Sequence, residues 1–432
     1  TTISGTLTLS QDNLFDISTH KLTFGPDATV ANAGTNRFIQ TAGNAGDGGI
    51  TKTYTATATS FTFPMGTVST SHAAAEYTPA TLSFGTNPNT FGNITVVPVG
   101  YEHPNTTTKD RSLTYFWRVK SEGFDMGSAT VNHAYTYSQN DVVTGGDVTE
   151  DGYVTAIYDN NAMDWTTYTA TDVDEGTNTI GGTGTALDAV NFIDGEFTAG
   201  DNDATDPFGT PIVYYSRING LAEGDGRWDD GNNWSTDATL KHEGAAAGAY
   251  PGATDIAVIG GLDSIYLVTD PTNPNTGAQD AATLKIEQGS ALDIGYNPAS
   301  NFSLVLNHEN GNGNFRLTTS FNDESTYEFP AGDFSDYNQN LGTTELYTTN
   351  PNPGTTYWLP NDVNSYGNLI ISPIGGSNII FGNTDLHIYG DLVTKGQDSR
   401  SWYCPNWRTA NYPTAPQTPI AKTITIDGNF DM

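Results

Sequence analysis

The sequence Gly226-Arg227-Trp228-Asp229-Asp230-Gly231-Asn232-Asn233-Trp234-Ser235, followed by Pro251-Gly252-Ala253-Thr254-Asp255-Ile256-Ala257-Val258-Ile259-Gly260, separates two parts of the chain with different residue patterns. Asp, Asn and Gly surround both tryptophans, so the large aromatic side chains are expected to anchor a turn-rich polar loop. The run from Asp255 to Ile259 is short, apolar and bounded by glycines, which is typical of a buried strand. We therefore predict a rigid junction at residues 221–262, with Trp228 and Trp234 as structural anchors.

The charge of the chain restricts its partners. Its 432 residues are enough for two or three domains, and 16 Lys and Arg stand against 49 Asp and Glu, a formal net charge of -33. Nucleic acid and anionic membrane surfaces are poor partners for such a chain, because binding phosphate requires positive charge. The acidity indicates either a well-solvated surface or one that binds divalent cations.

The composition predicts strands rather than helices. The 47 glycines and 21 prolines, with abundant Thr, Asn and Asp, indicate many tight turns between short strands. The few helix-favouring runs are shorter than the ~12 residues that an isolated helix needs. We predict an all-β chain with almost no helix, in which an antiparallel β-sandwich is joined to a β-solenoid.

Targeting and covalent features are sparse. Cys404 is the one cysteine, so an intrachain disulfide is excluded. No run approaches the ~20 apolar residues that span a bilayer, and no basic or apolar leader opens the chain. Both ends of the sequence resemble strand interiors, so we expect a segment of a longer polypeptide.

The first part of the chain has the pattern of a sandwich. Residues 1–49 are interpreted as the end of a preceding β module, and residues 50–220 contain strands at the spacing of an antiparallel sandwich. Leu113, Trp117 and Val119 share one face of a strand, as expected of a sheet that covers a core on one side. Trp117 is predicted to lie at the centre of that core.

Three motifs in this part resemble a known family. They are Phe63-Pro64-Met65-Gly66, Tyr77-Thr78-Pro79-Ala80-Thr81-Leu82, and Leu113 to Trp117-Arg118-Val119. Their order resembles a β-sandwich module of very large Bacteroidota surface proteins, which are similar to gliding-motility adhesins and are exported by the type IX secretion system. The stretches Gly226 to Ser235 and Pro251 to Asp255 resemble the junction by which such proteins pass into a β-solenoid, so that the resemblance covers roughly residues 38–261. It implies a secreted, cell-surface location and contact with the type IX machinery during export.

Residues 263–432 are predicted to form a β-solenoid that continues beyond the end of the chain. Short strands are punctuated by Gly, Asn and Asp, as in stacked strand-turn repeats of ~20 to 30 residues. The sequences around Gly390 and Gly428 share the pattern apolar, any, Gly, Asp or Asn, apolar, so they are interpreted as successive rungs with residues 399–419 looped out. A second sandwich is the alternative, but the strands lack two-residue hairpin turns.

Acidic loops offer a candidate calcium site. Asp201, Asp203 and Asp206 lie close together, and Ca²⁺ prefers several oxygen ligands from flexible loops. Their spacing departs from the EF-hand pattern, which requires Gly at its sixth and Glu at its twelfth position. These carboxylates either bind Ca²⁺ or are only solvated.

Catalytic motifs are absent from the sequence. The seven histidines are scattered, and neither a His-Glu-x-x-His nor a Gly-x-Ser-x-Gly motif occurs. Asp385, Asp391 and Asp398 are the nearest candidates for a carboxylate pair of a glycan lyase or hydrolase, although turn carboxylates are more often structural. We predict that the chain is not an enzyme.

Aromatic residues near the C-terminal end are the candidate binding site. Trp402, Tyr403, Trp407 and Tyr412 either stack on a sugar or a partner chain, or pack over the solenoid. The resulting hypothesis is a structural or adhesive segment of an extracellular protein, a stiff rod whose partners are adjacent modules of the same chain and an extracellular glycan or surface. The alternatives are a glycan-binding module and a β-helix polysaccharide lyase or hydrolase.

Overall fold

The computed structural model describes residues 1–10, 14–56, 59–168, 172–201, 207–217, 226–267, 279–294, 302–305, 313–318, 332–347, 356–359, 363–372, 378–380, 385–395, 402–403 and 423–431. The chain divides into two compact units, Thr1–Pro211 and Ile212–Met432. The regular secondary structure is nearly all β, with 45% strand and 6% helix, which confirms the predicted all-β class. No helix among the described residues is long and apolar enough to cross a membrane.

The regular elements described in the first unit are mainly short strands. In chain order they are β1 (Thr2–Ile3), β2 (Thr6–Thr8), β3 (Phe15–Ser18), β4 (Leu22–Phe24), β5 (Thr29–Ala31), β6 (Ile39–Thr41), β7 (Ile50–Thr53), β8 (Phe61–Phe63), β9 (Met65–Ser69), β10 (His72–Tyr77), β11 (Ala80–Phe84), β12 (Asn93–Val99), β13 (Phe116–Glu122), β14 (Val131–Thr136), β15 (Tyr153–Asp159), β16 (Asp164–Thr167), β17 (Val173–Asp174), β18 (Thr179–Gly181) and β19 (Gly195–Asp201). Single 3-10 turns lie at Gln139–Asp141 and Glu150–Gly152.

The first unit begins with stacked coils of parallel strands. β1, β4 and β7 pair in parallel, as do β3, β6 and β9, and β2 pairs in parallel with β5. Lys52 Nζ on β7 donates to the carbonyls of Gly25 and Pro26, both at 2.6 Å, and so joins two successive coils. Residues 1–49, predicted to be the end of a preceding module, lie in the same unit as the sandwich and share its apolar core.

These parallel coils pass directly into an antiparallel sandwich. β7 pairs in parallel with β4 on one side and antiparallel with β12 on the other. The largest sheet has the order β1-β4-β7-β12-β13-β19-β15-β16, and the smaller sheets have the orders β17-β18-β14-β11-β8, β10-β9-β6-β3 and β2-β5. The predicted sandwich sheets are therefore present, and the largest of them has a parallel extension.

The structure places Trp117 in the apolar core that these sheets share. Its side chain is fully buried, and Nε1 donates to the carbonyl of Thr78 at 2.9 Å. The rings of Tyr115 and Tyr135 lie 5.0 and 5.2 Å from the indole. Because the indole N–H has a partner, the large aromatic surface is buried without leaving a polar atom unsatisfied.

The second unit is also built from short strands. In chain order they are β20 (Val213–Ser216), β21 (Trp234–Ser235), β22 (Ile256–Ile259), β23 (Ser264–Tyr266), β24 (Ala281–Ile286), β25 (Ala291–Asp293), β26 (Phe302–Val305), β27 (Asn314–Thr318), β28 (Thr343–Tyr347), β29 (Thr356–Trp358), β30 (Ser365–Tyr366), β31 (Asn368–Ser372), β32 (Asn378–Ile380), β33 (Leu386–Ile388), β34 (Leu392–Thr394), β35 (Trp402–Tyr403), β36 (Ile424–Ile426) and β37 (Phe430–Asp431). The helix α1 (Ser335–Gln339) and the 3-10 turns Gly231–Asn233 and Lys241–Glu243 complete the described elements.

These strands stack into a parallel β-solenoid. One ladder has the order β23-β25-β27-β28-β31-β34-β37, and the first four-strand parallel ladder is β20-β22-β24-β26. Two shorter parallel ladders are β29-β32-β35 and β30-β33-β36. The chain contains about 12 solenoid turns, which confirms the solenoid over the alternative of a second sandwich.

The solenoid begins earlier than the sequence pattern predicts. Val213 on β20 lies opposite Ile256 on β22 in a parallel ladder, so β20 is the first rung. The boundary between the units therefore lies after Pro211 rather than after residue 220, and residues 221–262 belong to the second unit instead of forming a separate junction.

Trp228 and Trp234 lie in the apolar core of the second unit, both fully buried. Their ring centroids are 5.0 Å apart in an edge-on arrangement. Trp234 Nε1 donates to the carbonyl of Trp228 at 2.8 Å, and Trp228 Nε1 donates to the carbonyl of Pro251 at 3.3 Å. The two indoles thus hold together the long segment between the first two rungs.

One column of inward-facing side chains runs through the coils of the second unit. Its members lie opposite one another in successive parallel pairs and are almost fully buried; they are Ile265, Leu292, Phe315, Thr344, Leu369 and Leu392. Since one coil cannot bury these side chains alone, the column makes each coil depend on its neighbours.

Candidate functional site

A ladder of glycine and Asx residues fixes one corner of the solenoid. The backbone N–H of Gly390 donates to the carbonyl of Gly367 at 2.9 Å, and that of Gly428 donates to the carbonyl of Gly390 at 3.0 Å. Next to the glycines, the Asn368 side-chain oxygen accepts from the Asp391 N–H at 2.9 Å, and the Asp391 carboxylate accepts from the Asn429 N–H at 2.7 Å. The two rungs predicted from their shared pattern are indeed neighbours, with Leu392 opposite Phe430.

Two of the candidate catalytic carboxylates, Asp385 and Asp391, accept main-chain hydrogen bonds in this ladder. Asp385 accepts a hydrogen bond from the backbone N–H of Thr423 at 2.8 Å, as Asp391 does from Asn429. Each carboxylate therefore binds a main-chain N–H group of the following described strand segment, at Thr423 and at Asn429. Asp398 lies outside the described residues.

A polar cluster lies on the outer face of the long parallel ladder, between β25 and β31. Arg316 Nε donates to Glu345 at 2.9 Å, and its Nη1 lies 3.4 Å from the Asp293 carboxylate. The Tyr347 hydroxyl donates to the Asp293 carboxylate, with both oxygens at 2.8 Å, and the Ser372 hydroxyl donates to Glu345 at 2.7 Å. We call these five residues the Arg316 cluster.

Two members of the Arg316 cluster, Glu345 and Tyr347, have shifted pKa values. Burial alone would raise the pKa of Glu345, but the Ser372 hydroxyl and the Arg316 guanidinium outweigh it and hold the pKa below its usual value. Burial, followed by the adjoining Asp293 carboxylate, raises the pKa of Tyr347. The cluster therefore presents an ionised Glu345 and a neutral phenol at neutral pH.

The arrangement of the Arg316 cluster is suited to binding. The guanidinium lies over the Tyr347 ring, 4.7 Å from its centroid, and about a third of the Arg316 side chain is exposed, 34%. Tyr266, Asp293, Arg316 and Glu345 occupy the same outward position in successive coils. Fixed donors and acceptors beside an aromatic ring are the groups that recognise a ligand rich in hydroxyls.

The aromatic residues predicted to stack on a ligand are only partly described. Trp402 and Tyr403 form β35 and lie opposite Ile379 and Ile380 in a parallel ladder. Trp407 and Tyr412 lie outside the described residues. The described backbone thus makes the first two part of a solenoid coil.

The predicted calcium ligands are also only partly described. Asp201 is almost fully buried at the end of β19, where its carboxylate accepts a hydrogen bond from Arg111. Asp203 and Asp206 lie outside the described residues. Among the residues that the structure does describe, no group of three or more His, Cys, Asp or Glu is placed to hold a metal ion.

A buried ionic network in the first unit has no counterpart among the predicted sites. Glu196 accepts from Arg118 Nε and from His103 Nε2, both at 2.6 Å, and from Asn160 at 2.7 Å. Burial alone would raise the pKa of Glu196, but Arg118 and His103 hold it well below its usual value. His103 Nδ1 accepts from the backbone N–H of Asn105 at 3.2 Å, so the imidazole is neutral with its proton on Nε2. The network is enclosed and structural.

The cluster and the network share a signal that sequence reasoning missed. Arg118 and Glu196 face each other across β13 and β19, and Arg316 and Glu345 across β27 and β28. In a chain with so few cations, an Arg in mid-strand indicates a partner at the same register on a neighbouring strand. That partner becomes identifiable only once the strand order is known.

Comparisons with known proteins give no relative. No family model matches the chain, and neither a curated protein nor a solved structure shows significant similarity to it.

Proposed function

We propose that the chain is a structural and adhesive segment of a large extracellular bacterial surface protein. The observation that carries this proposal is the continuity of contacts from coil to coil in the second unit, where the buried column and the Gly-Asx corner run through successive rungs. Each described rung is held by its neighbours through main-chain bonds and packing, as in other repeat architectures. Such a body suits the task of spacing or presenting a surface.

The proposed location rests on the sequence. The motifs in residues 38–261 resemble modules of Bacteroidota gliding adhesins, and the net charge of -33 suits a protein exposed to salt. On this proposal, the type IX secretion machinery exports the chain, and neighbouring modules of the same polypeptide are its permanent partners.

Labelling of intact cells tests the location. Antibodies against the chain should label unpermeabilised cells of the bacterium that encodes it, and an in-frame deletion of residues 1–432 should reduce attachment of those cells to a surface. Labelling that requires permeabilisation would contradict the extracellular location. Unchanged attachment of the deletion strain would contradict the adhesive role.

A second candidate function is glycan binding, which the Arg316 cluster favours. Its charged groups already neutralise one another in part, so the fitting ligand is a hydroxyl-rich saccharide rather than a strongly charged one. The open edge of Arg316 and the polar groups beside it offer hydrogen bonds to such a ligand. By contrast, nothing in the described residues favours the lyase or hydrolase alternative.

A glycan array with the full chain separates the two binding hypotheses. If the Arg316 cluster binds glycan, Arg316→Gln should lower affinity by roughly 10- to 150-fold, since a hydrogen bond to a charged group contributes roughly 1.5–3 kcal/mol. Arg37→Gln, which removes an Arg from the first unit, is the matched control. If only Trp402→Ala or Trp407→Ala removes binding, the aromatic segment is the site. If the unmodified chain binds no glycan, the structural role is the one that remains.

Calcium remains part of the proposal as a ligand of the acidic loop at Asp201, Asp203 and Asp206. Calorimetric titration with Ca²⁺ should detect a site that Asp203→Asn and Asp206→Asn weaken. No heat of binding in the unmodified chain would exclude the site.

A further inference from the structure

His242 connects three successive coils at the start of the second unit. It lies in the 3-10 turn Lys241–Glu243, within residues 236–255, here called the covering segment, which links β21 to β22. Its Nδ1 lies 2.6 Å from the backbone carbonyl of Ser216, at the end of β20 in the first coil. Its Nε2 lies 3.6 Å from the Glu287 carboxylate, which directly follows β24 in the third coil.

The second coil lies between these two contacts. The Ser216 hydroxyl donates to the Asp263 carboxylate at 2.7 Å and accepts from the backbone N–H of Gly260 at 3.0 Å. A side chain at position 260 would overlap both His242 Nε2 and the Glu287 carboxylate. Glycine at this position therefore allows the imidazole and the carboxylate to meet.

The geometry suits a protonated imidazole. A carbonyl oxygen only accepts, so Nδ1 must carry a proton, and Nε2 is buried with no hydrogen-bond acceptor closer than Glu287. In the neutral ring Nε2 would direct a lone pair at a carboxylate, which is unfavourable. In the protonated ring the same contact is an ion pair that crosses from the covering segment to the third coil.

We propose that His242 is a pH-operated latch that, when protonated, fastens the covering segment across the first three coils and, when deprotonated, releases it. The groups facing the ring are Glu287, Asp263 and the Ser216 carbonyl, together with the Tyr215 ring, whose centroid is 5.6 Å away. From its own turn, Lys241 lies over Tyr215 and Glu243 follows the histidine. The facing carboxylates thus favour the cationic ring.

The direction of the pH effect follows from linkage. Burial opposes protonation, but Glu287, the Ser216 carbonyl and Asp263 outweigh it and raise the pKa of His242 above its usual value. A group with a raised folded pKa stabilises the folded form fully below its unfolded pKa of about 6.5, and this contribution is lost as pH rises through the folded pKa. The latch is therefore closed in mildly acidic conditions and opens towards alkaline pH.

Trypsin cleavage after Lys241 tests the latch in the full chain. Its rate, divided by that of an unstructured reporter peptide in the same tube, should rise several-fold between about pH 6 and about pH 9, because opening follows loss of the His242 proton. Glu287→Gln should give rapid cleavage at both pH values. His20→Gln, which alters an exposed histidine of the first unit, should behave like the unmodified chain.

An NMR titration of the His242 ring gives an independent readout. The pKa should lie above 6.5 in the unmodified chain and fall in Glu287→Gln. Equal normalised cleavage rates at both pH values, or a His242 pKa at or below 6.5 in the unmodified chain, would overturn the proposal. Both measurements on the unmodified chain test the proposed latch even if a variant does not fold.

Discussion

At the scale of single residues, the most consequential side chains are buried charges with complete sets of partners. Glu196 is bound by Arg118, His103 and Asn160 on one face of the largest sheet of the first unit. Removing one member of such a set leaves a buried charge without its counterpart, which costs more than an intact pair contributes. The stability of the first unit should therefore depend on Glu196 far more than on exposed acids.

Replacement of Glu196 tests this dependence. Glu196→Gln keeps the size but removes the carboxylate that faces the buried Arg118 guanidinium, so the free energy of unfolding of the first unit should fall by about 3–5 kcal/mol. Asp151→Asn, at an exposed acid of the same unit, should change it by less than about 0.5 kcal/mol. Denaturant titration monitored by hydrogen exchange on peptides of the first unit measures both variants; equal effects would contradict the role given to the network.

The buried histidines of the first unit should make it sensitive to mild acid. Burial lowers the pKa of His133 to about 4, and burial, partly offset by Glu196, lowers the pKa of His103. Below about pH 6.5 the unfolded chain binds protons at these residues that the folded chain does not, so stability should fall by ~1.4 kcal/mol per histidine and pH unit.

The melting temperature of the first unit between about pH 6.5 and pH 5.5 checks this prediction. Burial also raises the pKa values of Glu102, Asp141 and Asp194, and protonation of these carboxyl groups acts in the opposite direction. A melting temperature that is constant or rises as pH falls through this window would show that the buried histidines take up protons in the folded state.

At the scale of elements, the corner glycines are what allow the coils to stack closely. An added Cβ at Gly367 would overlap the backbone carbonyl of Gly342 in the preceding coil. Since a backbone atom cannot move aside as a flexible side chain can, the neighbouring coil would have to shift. A glycine is therefore required at position 367, because two coils approach each other closely there.

Gly367→Ala should consequently lower the free energy of unfolding of the second unit by ~1–3 kcal/mol, the usual cost of overpacking. Gly252→Ala is the matched control, because an added Cβ there would meet only the Asp255 carboxylate, at an ordinary 3.5 Å. Thermal unfolding of the two variants measures the difference. Equal stability of the variants would mean that the coils are not in close contact at this corner.

The elements also show what the sequence can and cannot predict. The rungs at Gly390 and Gly428 were predictable because their Gly-Asx pattern is local and repeats. The rung at Val213 was not, because its partner Ile256 follows a long segment whose tryptophans suggested a boundary. Likewise, the Arg316 cluster combines residues from several coils, so its composition follows from register and from no local motif.

At the scale of the whole molecule, the two units are built differently, but both contain stacked parallel strands. In the first, parallel strands pass into an antiparallel sandwich within a single sheet; in the second, parallel rungs continue through the described part of the solenoid. The all-β class and the sandwich-to-solenoid order were predictable from composition and strand spacing. How the parallel strands of residues 1–49 join the sandwich was not predictable, because a short strand has the same alternating pattern whether its neighbours run parallel or antiparallel to it.

We propose that the stacked, mutually supporting coils of the second unit serve a mechanical purpose. Pulling the full chain from its two ends in a single-molecule force experiment tests it most directly. Coils of 20 residues (Lys285 to Val305) to 43 residues (Val213 to Ile256) should detach one after another, in steps of about 70–150 Å for extended chain. A series of force peaks with these steps is the predicted result, whereas extension of the second unit without resistance, or its release in a single step, would contradict the claim.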